Sequence, residues 1–384
     1  MIKILFVYNG IPRMGGIEAV MGNIYRTIDR KAFNIDFLFF GHEEEDDSEL
    51  TKSVSGDSHV FYVPPLREGI WANHAAVEEI LRRYQYDIIH THMDASGAPV
   101  LRIAKKCGLA IRIAHSHSTD IVSLKAPKTL KGRIHKLYIE WQRSRITKYA
   151  THYVGCSLKA GEWLFGEQVC WQDDFIIFRN AIDAERYAFN PSVRADFRKR
   201  YGLEGKKVIG HVGHFSYVKN HPYLIDVFAR IHKKDHDIEL ILIGSGEDMP
   251  KIEEQVRELG LSDHVRFLGD QTNVYEWLQC FDLFVMPSRF EGLSVVLVEA
   301  QAAGLPCLTS SSVTKESDIS GLVEFMDISL DPDVWAQKIL QMFKDSRPRV
   351  SPLDEIRRKG FDSKTNIKVL EQFYRKCLDD KKGA

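Results

Sequence analysis

The 384-residue chain lacks several features that would each have set its class. It has almost no net charge. Lys and Arg number 52 against 53 Asp and Glu, so the balance of −1 gives no overall pull toward nucleic acid or an acidic surface. It has no cysteine framework. Cys107, Cys156, Cys170, Cys280, Cys307 and Cys377 form no C-x-x-C pair and sit mostly in apolar runs. That is the pattern of reduced thiols in a cytosolic protein, and it argues against disulfides or a thiolate metal site. No apolar run approaches the ~18 residues needed to span a bilayer, so any membrane link is expected to be peripheral. The opening "MIKILFVYNG" is too short and too polar at its end for a signal peptide, and reads as a strand beginning at once. Neither G-x-G-x-x-G nor G-x-x-x-x-G-K-[ST] occurs, which removes the nicotinamide fingerprint and the P-loop.

What is present suits a globular α/β protein. Hydrophobic residues make up 44% and charged residues 27%, enough apolar material for a real core, and the length allows two or three domains. Short β-rich runs alternate with longer helical patterns. The first series places strands at 2–8, 34–40, 59–64, 86–92, 111–116, 151–157 and 175–180, with helices near 70–84, 97–107 and 130–149. Residues 183–206 are polar, show no strand pattern and read as a connector. A second series places strands at 207–213, 238–246, 265–269, 283–288, 306–310 and 322–327. Strands separated by helices of this length indicate parallel βαβ units. The expected architecture is two Rossmann-like doubly wound domains facing a central cleft, over 1–182 and 207–364. The last segment, 365–384, is expected to be a helix packing back on the first domain.

Ligands in such sheets lie beyond the carboxyl ends of the strands. Three glycine-bearing loops stand there: "NGIPRMGGIEAV", "GHVGHFSYVKNH" and "IGSGED". Small residues let a backbone approach a ligand, and helix starts attract anions. Two histidine pairs, "HTHMD" (90–94) and "HSHST" (115–119), also end strands, and alternate residues of a strand share a face. Three readings stand side by side. With an aspartate, the pairs make a metal site of the kind a hydrolase uses. As ordinary strand-end histidines, they are satisfied by local hydrogen bonds. As ligand contacts, they favour His115, which ends the apolar run directly, with His117 as the alternate. The D-x-D pairs at 235–237 and 331–333 are assigned to no metal, and Asp331 reads as a helix N-cap. Residues 125–148 hold eight Lys or Arg and one acid, with Ile134, Leu137, Tyr138, Trp141 and Ile146 on roughly one helical stripe. Such a helix either packs the stripe on the sheet or lies on an anionic surface.

The segment "PSRFEGLSVVLVEAQAAGLPCLTS" (287–310) carries a resemblance. Glu291 and Glu299 match the E-x7-E motif of retaining nucleotide-sugar glycosyltransferases of the GT-B architecture. "GGIE" (15–18), "GHFSYVKNH" (213–221), "IGSGED", "FLG" (267–269) and "GLPCLTS" stand in that family's order, so the resemblance covers nearly the whole chain. Within the family it is similar to bacterial exopolysaccharide and capsule transferases.

The resemblance implies roles. Lys219 would pair with the donor diphosphate, with Gly16 and Gly213 approaching it through their backbones. Glu291 would accept hydrogen bonds from the donor sugar and Glu299 from the ribose. The amides of Gly292, Leu293 and Ser294 would face phosphate or sugar oxygens. His115 would contact the sugar near the reacting centre, and Leu268 to Asn273 would border the base. One position departs from the family: His214 stands where an arginine is usual, and histidine offers no bidentate fork. The implied function is transfer of a hexose, from a UDP-sugar, to a polyprenyl-linked or other glycan. It would occur in the cytoplasm at the membrane face, with no cofactor or metal and no nucleic-acid partner. Lys128, Lys131 and Arg133 would form the acceptor or membrane face. The alternatives are a nucleotide-sugar epimerase or hydrolase of the same architecture, and a nucleotide-sugar-binding subunit without catalysis.

Overall fold

Strand β1 (Ile2–Tyr8) shows why the chain folds as layers. Ile4 and Phe6 point to one face and Leu5 and Val7 to the other, and all four are fully buried. A strand apolar on both sides must be covered on both sides, as in a parallel sheet sheathed by helices. The computed structural model describes residues 1–12, 16–117, 130–291, 293–345 and 347–383, apart from the side chains of Lys131 and residues 381–383.

The chain divides into two compact units, Met1–Ala181 with Ser363–Ala384, and Ile182–Asp362. In the first, β1 is joined by β2 (Phe33–Phe40), β3 (Val60–Val63), β4 (Ile88–Thr91), β5 (Ile111–Ser116), β6 (His152–Gly155) and β7 (Phe175–Ile177). The sheet order is β3-β2-β1-β4-β5-β6-β7, with every neighbouring pair parallel. One face packs Leu5, Val7, Leu38 and Ile89 under helices Ile70–Tyr84 and Ala98–Lys106. The other packs Ile4, Phe6, Phe37 and Ile113 against helix Gly16–Thr27 and the last helix, Ser363–Gly383, which contributes Ile367, Leu370, Phe373 and Tyr374.

The second unit repeats the plan with β8 (Lys207–Val212), β9 (Ile238–Ile243), β10 (Val265–Phe267), β11 (Leu283–Met286), β12 (Cys307–Ser310) and β13 (Val323–Met326). Its order is β10-β9-β8-β11-β12-β13, again all parallel. Residues 183–206, read above as a connector, form helices Ala184–Tyr187 and Pro191–Arg200 within this unit. Their polarity misleads because the charges are used for packing: Arg194 and Arg198 both pair with Asp282 just before β11. The strand order reverses between β1 and β4 in the first sheet and between β8 and β11 in the second, the switch points at whose carboxyl ends such sheets bind ligands.

Among the described residues no helix is long and apolar enough to cross a membrane. Helix Leu130–Tyr149 is placed differently from the packing expectation. Ile134, Leu137, Tyr138 and Trp141 are exposed, from 40 to 70%, while Ile146 is wholly buried. Ile146 lies five residues past Trp141, roughly 140° round the helix, and so belongs to the inward face with Gln142 and Tyr149.

Candidate active site

Beyond β8 the chain turns through Gly213 and reaches Lys219, whose amide closes a turn on the Ser216 carbonyl at 3.1 Å. Asn220 follows in the left-handed region, at φ 57°, and its side-chain amide donates to the Pro287 carbonyl at 3.1 Å. From the neighbouring strand end, the Arg289 amide donates to the Val218 carbonyl at 2.7 Å. The loops after β8 and β11 are thus stitched together, and the result is a short ion pair. Lys219 Nζ lies 2.5 Å from Glu291 Oε1, both side chains under one-fifth exposed. Glu291 ends the turn before helix Val295–Ala302, held by a bridge to Val313.

The glycines leave room for this arrangement. A Cβ on Gly213 would stand 3.0 Å from Lys219 Cε, and one on Gly244, at φ 131°, would stand 2.2 Å from the Gly213 carbonyl oxygen. Two strand-end loops therefore touch backbone to backbone, with a lysine stem lying over them. His214 is elsewhere: it is exposed and pairs with Glu247 at 3.2 Å. Arg289, which sequence reasoning passed over inside "SRFEG", lies with its guanidinium 4.6 Å over the Tyr217 ring. The same stitched loops therefore carry an arginine, although the residue after Gly213 is a histidine.

Glu299 sits within the helix, one turn and more beyond Glu291. Its Oε1 accepts a hydrogen bond from Tyr187 Oη at 2.9 Å. Burial pushes its carboxyl up to about 7, against the opposing pull of Tyr187 and Arg186. Tyr187 belongs to the segment read as a connector, and nothing in its local pattern marks it as a partner. Ser294 is the N-cap residue and is buried, its hydroxyl 3.6 Å from Met286 Sδ. Leu293 packs into the apolar cluster around Ile319 and Ile356. The Leu268 carbonyl accepts from Gln271 Nε2 at 2.7 Å, and Asn273 precedes helix Val274–Cys280 with its amide on Glu276, also at 2.7 Å. Gly292 and Lys128 lie outside the described residues, as does the Lys131 side chain; Arg133 is exposed.

The first unit holds the other predicted residues. Gly16 opens helix Gly16–Thr27, and a Cβ there would meet nothing within 4 Å. The two histidine pairs end the adjacent strands β4 and β5 and fall on one face. His90, His92 and His115 are each wholly buried, and only His117 is partly exposed. The rings form a stack, with His115 and His117 centroids 3.9 Å apart and His90 and His92 4.4 Å apart. His90 Nδ1 meets Tyr374 Oη at 2.7 Å, and His92 Nδ1 meets His117 Nε2 at 3.0 Å. Local hydrogen bonding does not satisfy the group: His90 Nε2, His92 Nε2 and both ring nitrogens of His115 find no hydrogen-bond partner. Burial holds all four far below the ordinary histidine range, His90 and His117 at about 3; repulsion from neighbouring rings adds to this for His90, His92 and His115, while a hydrogen bond with Asn180 pulls His117 the other way.

Known proteins match this geometry along its whole length. HepE of Anabaena, solved with UDP and glucose, superposes with a TM-score of 0.77 at 19% identity, covering 98% of this chain and 100% of that one. WaaG, a glycosyltransferase involved in lipopolysaccharide biosynthesis, gives 0.67 at 17% identity over 89% of this chain and 90% of that one. Likeness at that identity speaks for the fold, and the fold is GT-B: two parallel Rossmann-like units of the type glycosyltransferases use. The family profile "Glycosyl transferases group 1" matches residues 193–359, and "Glycosyltransferase Family 4" matches residues 14–186. EpsF of Bacillus subtilis (strain 168), named as a glycosyltransferase, is 32% identical over 377 residues, 97% of this chain and 96% of that protein. The Escherichia coli UDP-Gal:alpha-D-GlcNAc-diphosphoundecaprenol alpha-1,3-galactosyltransferase is 23% identical over 312 residues, 78% of this chain and 77% of that protein. The chain belongs to the group 1 glycosyltransferases of GT-B architecture.

Proposed function

We propose that this glycosyltransferase moves a hexose from a nucleotide sugar, a UDP-sugar, onto a polyprenyl-linked or other glycan during exopolysaccharide or capsule assembly, with retention at the anomeric carbon. The observation that carries the donor assignment is the Lys219–Glu291 pair held on stitched loops at the strand-end switch point. A departing nucleoside diphosphate gains negative charge, and a fixed ammonium aimed at it lowers the barrier. The amides at the start of helix Val295–Ala302 add positive potential. In this reading Arg289 shares the diphosphate with Lys219 in place of His214, and Gly213 admits it closely. Glu291 takes sugar hydroxyls, and Glu299 the ribose. The base lies near Leu268 to Asn273.

The sugar carbon passes through an oxocarbenium-like state, as in glycoside cleavage. His115, favoured in the sequence for the sugar contact, is wholly buried, so in this reading His117, its alternate and the ring of that stack with some exposure, takes the sugar side. Lys219, Arg289 and amides supply the cationic work, so added Mg²⁺ is not expected to change donor affinity. The name of the E. coli relative supports the lipid-linked acceptor, and that name and the ligand of HepE support the UDP donor. The test is direct. The full chain is incubated with a panel of nucleotide sugars and a polyprenyl-diphosphate-linked sugar, and the product's anomeric configuration is read by NMR. An inverted product would remove the retaining assignment. Turnover of donor without acceptor dependence would favour a hydrolase or epimerase, and UDP binding without release from any donor would favour a binding subunit.

Acceptor delivery gives a second measurable outcome. The exposed stripe Ile134, Leu137, Tyr138 and Trp141, on a helix rich in Lys and Arg, has the make-up of a surface that lies in an anionic interface at the cytoplasmic face. Each basic residue near such a surface contributes roughly 1 kcal/mol, so replacing Lys128, Lys131 and Arg133 by Glu should weaken liposome binding about a hundredfold or more. Flotation with anionic vesicles reads this, and unchanged partitioning would remove the membrane role.

A further inference from the structure

The histidine stack of the first unit is built in a way that sugar chemistry does not require. A neutral imidazole has one donor and one acceptor, and burying either without a partner is costly. Here the unpartnered nitrogens are concentrated in one place. His90 Nε2, His92 Nε2 and both nitrogens of His115 lie in the interior, on three side chains with no exposure at all. The ligand atoms these three residues offer all lie within 4.8 Å of one another.

The surrounding contacts are those a metal site needs. A ligating histidine is normally oriented by a hydrogen bond on its other nitrogen. His90 has one, from Nδ1 to Tyr374 Oη, and His92 has one, from Nδ1 to His117 Nε2. Each leaves its Nε2 buried and without a hydrogen-bond partner. The Asp94 carboxylate is buried beside the cluster, accepting the His117 amide at 2.8 Å, and supplies negative charge near a bound cation. The backbone fixes the spacing: His90 lies on β4 and His92 directly after its end, His115 lies on the paired strand β5, and the His90 register partner is Ile113, two residues before His115.

We infer that His90, His92 and His115 form a binding site for one divalent transition-metal ion that favours imidazole, Zn²⁺ in the first place. Three imidazoles suit Zn²⁺, Co²⁺ or Ni²⁺ and not Mg²⁺ or Ca²⁺, which take oxygen ligands. With bonds of about 2.0–2.1 Å, the ring nitrogens must draw together by roughly an ångström, within reach of small ring rotations. The ion ties β4, β5 and, through Tyr374, the last helix, so it steadies the first unit. The donor diphosphate site in the second unit makes no use of it.

Chelator-treated full-length protein is titrated with Co²⁺, whose visible d–d absorption reports an imidazole site, and then with Zn²⁺ in competition. The expected result is one equivalent per chain, a raised unfolding temperature, and loss of the absorption in His92→Gln. If that variant does not fold, Tyr374→Phe removes only the oriented partner of His90 and should weaken affinity by about 10- to 100-fold. The surface pair His232 and His236, whose rings also meet, is controlled by the double variant His232→Ala/His236→Ala, which should bind as the wild type does. The inference is overturned by absence of the absorption, by unchanged affinity in both cluster variants, or by its loss in the surface double variant. Sugar transfer is not the readout, so failure here leaves the donor assignment standing.

Discussion

Lys219→Ala is expected to lower kcat/KM for sugar transfer by about a hundred- to a thousandfold, the usual loss when one preorganised charge aimed at a developing oxyanion is removed. The second unit should still fold, because Lys219 sits on a loop and the apolar clusters of that unit do not include it. Glu291 is predicted to behave differently. Its carboxylate and the donor diphosphate compete for the same ammonium, 2.5 Å away in the ion pair. Glu291→Gln removes that competitor, so nucleoside diphosphate should bind as tightly as before or more tightly. Transfer should still fall, because the carboxylate no longer accepts hydroxyls of the donor sugar. Titration calorimetry with UDP, beside steady-state kinetics, separates the two effects. Full turnover in both variants would show that the diphosphate site lies elsewhere. Stability gives a further check. Lys219→Ala leaves a carboxylate under one-fifth exposed with its cation gone, and the double variant Lys219→Ala/Glu291→Ala should recover the stability lost.

The part of this site that the sequence displayed was its backbone logic. Glycine loops after β-rich runs, an E-x7-E spacing and a lysine before a helix all depend on local order along the chain, and local order is what a sequence prints. Contacts across the fold were another matter. Arg289 sits next to the motif, yet its relation to Lys219 depends on the Arg289 amide reaching Val218 from a neighbouring strand end. Tyr187 lies 112 residues from Glu299, in a segment whose charges concealed its helices. The two H-x-H pairs were visible as pairs. Their union was one reading of three, because deciding for it needs β4 and β5 to be neighbours in register and the last helix to bring Tyr374 against them. The basic helix failed in a simpler way. Five apolar positions were grouped on one stripe, but the step from Trp141 to Ile146 leaves that stripe, so the buried and exposed faces were merged.

Donor affinity is expected to depend on pH through Glu299, and with a definite sign. Burial raises this carboxyl to about 7, so below neutrality the free chain carries it protonated. A carboxylate accepts hydroxyl hydrogen bonds on both oxygens, whereas a carboxylic acid loses part of that capacity. Ribose binding that selects the carboxylate must then expel a proton, and Kd should rise by about tenfold per pH unit below 7 until the proton is retained in the complex. A nucleotide sugar is the right probe, because its diphosphate has no monoester group titrating near pH 6. In Glu299→Gln the acid-side loss should vanish. The same proton is legible in folding: the folded chain holds it where the unfolded chain releases it, so Glu299 lowers stability progressively as pH rises from 4.5 to about 7. Wild type and Glu299→Gln should therefore diverge in unfolding free energy across that window and run parallel above it. An equal pH slope of donor affinity in the two proteins would detach Glu299 from the ribose.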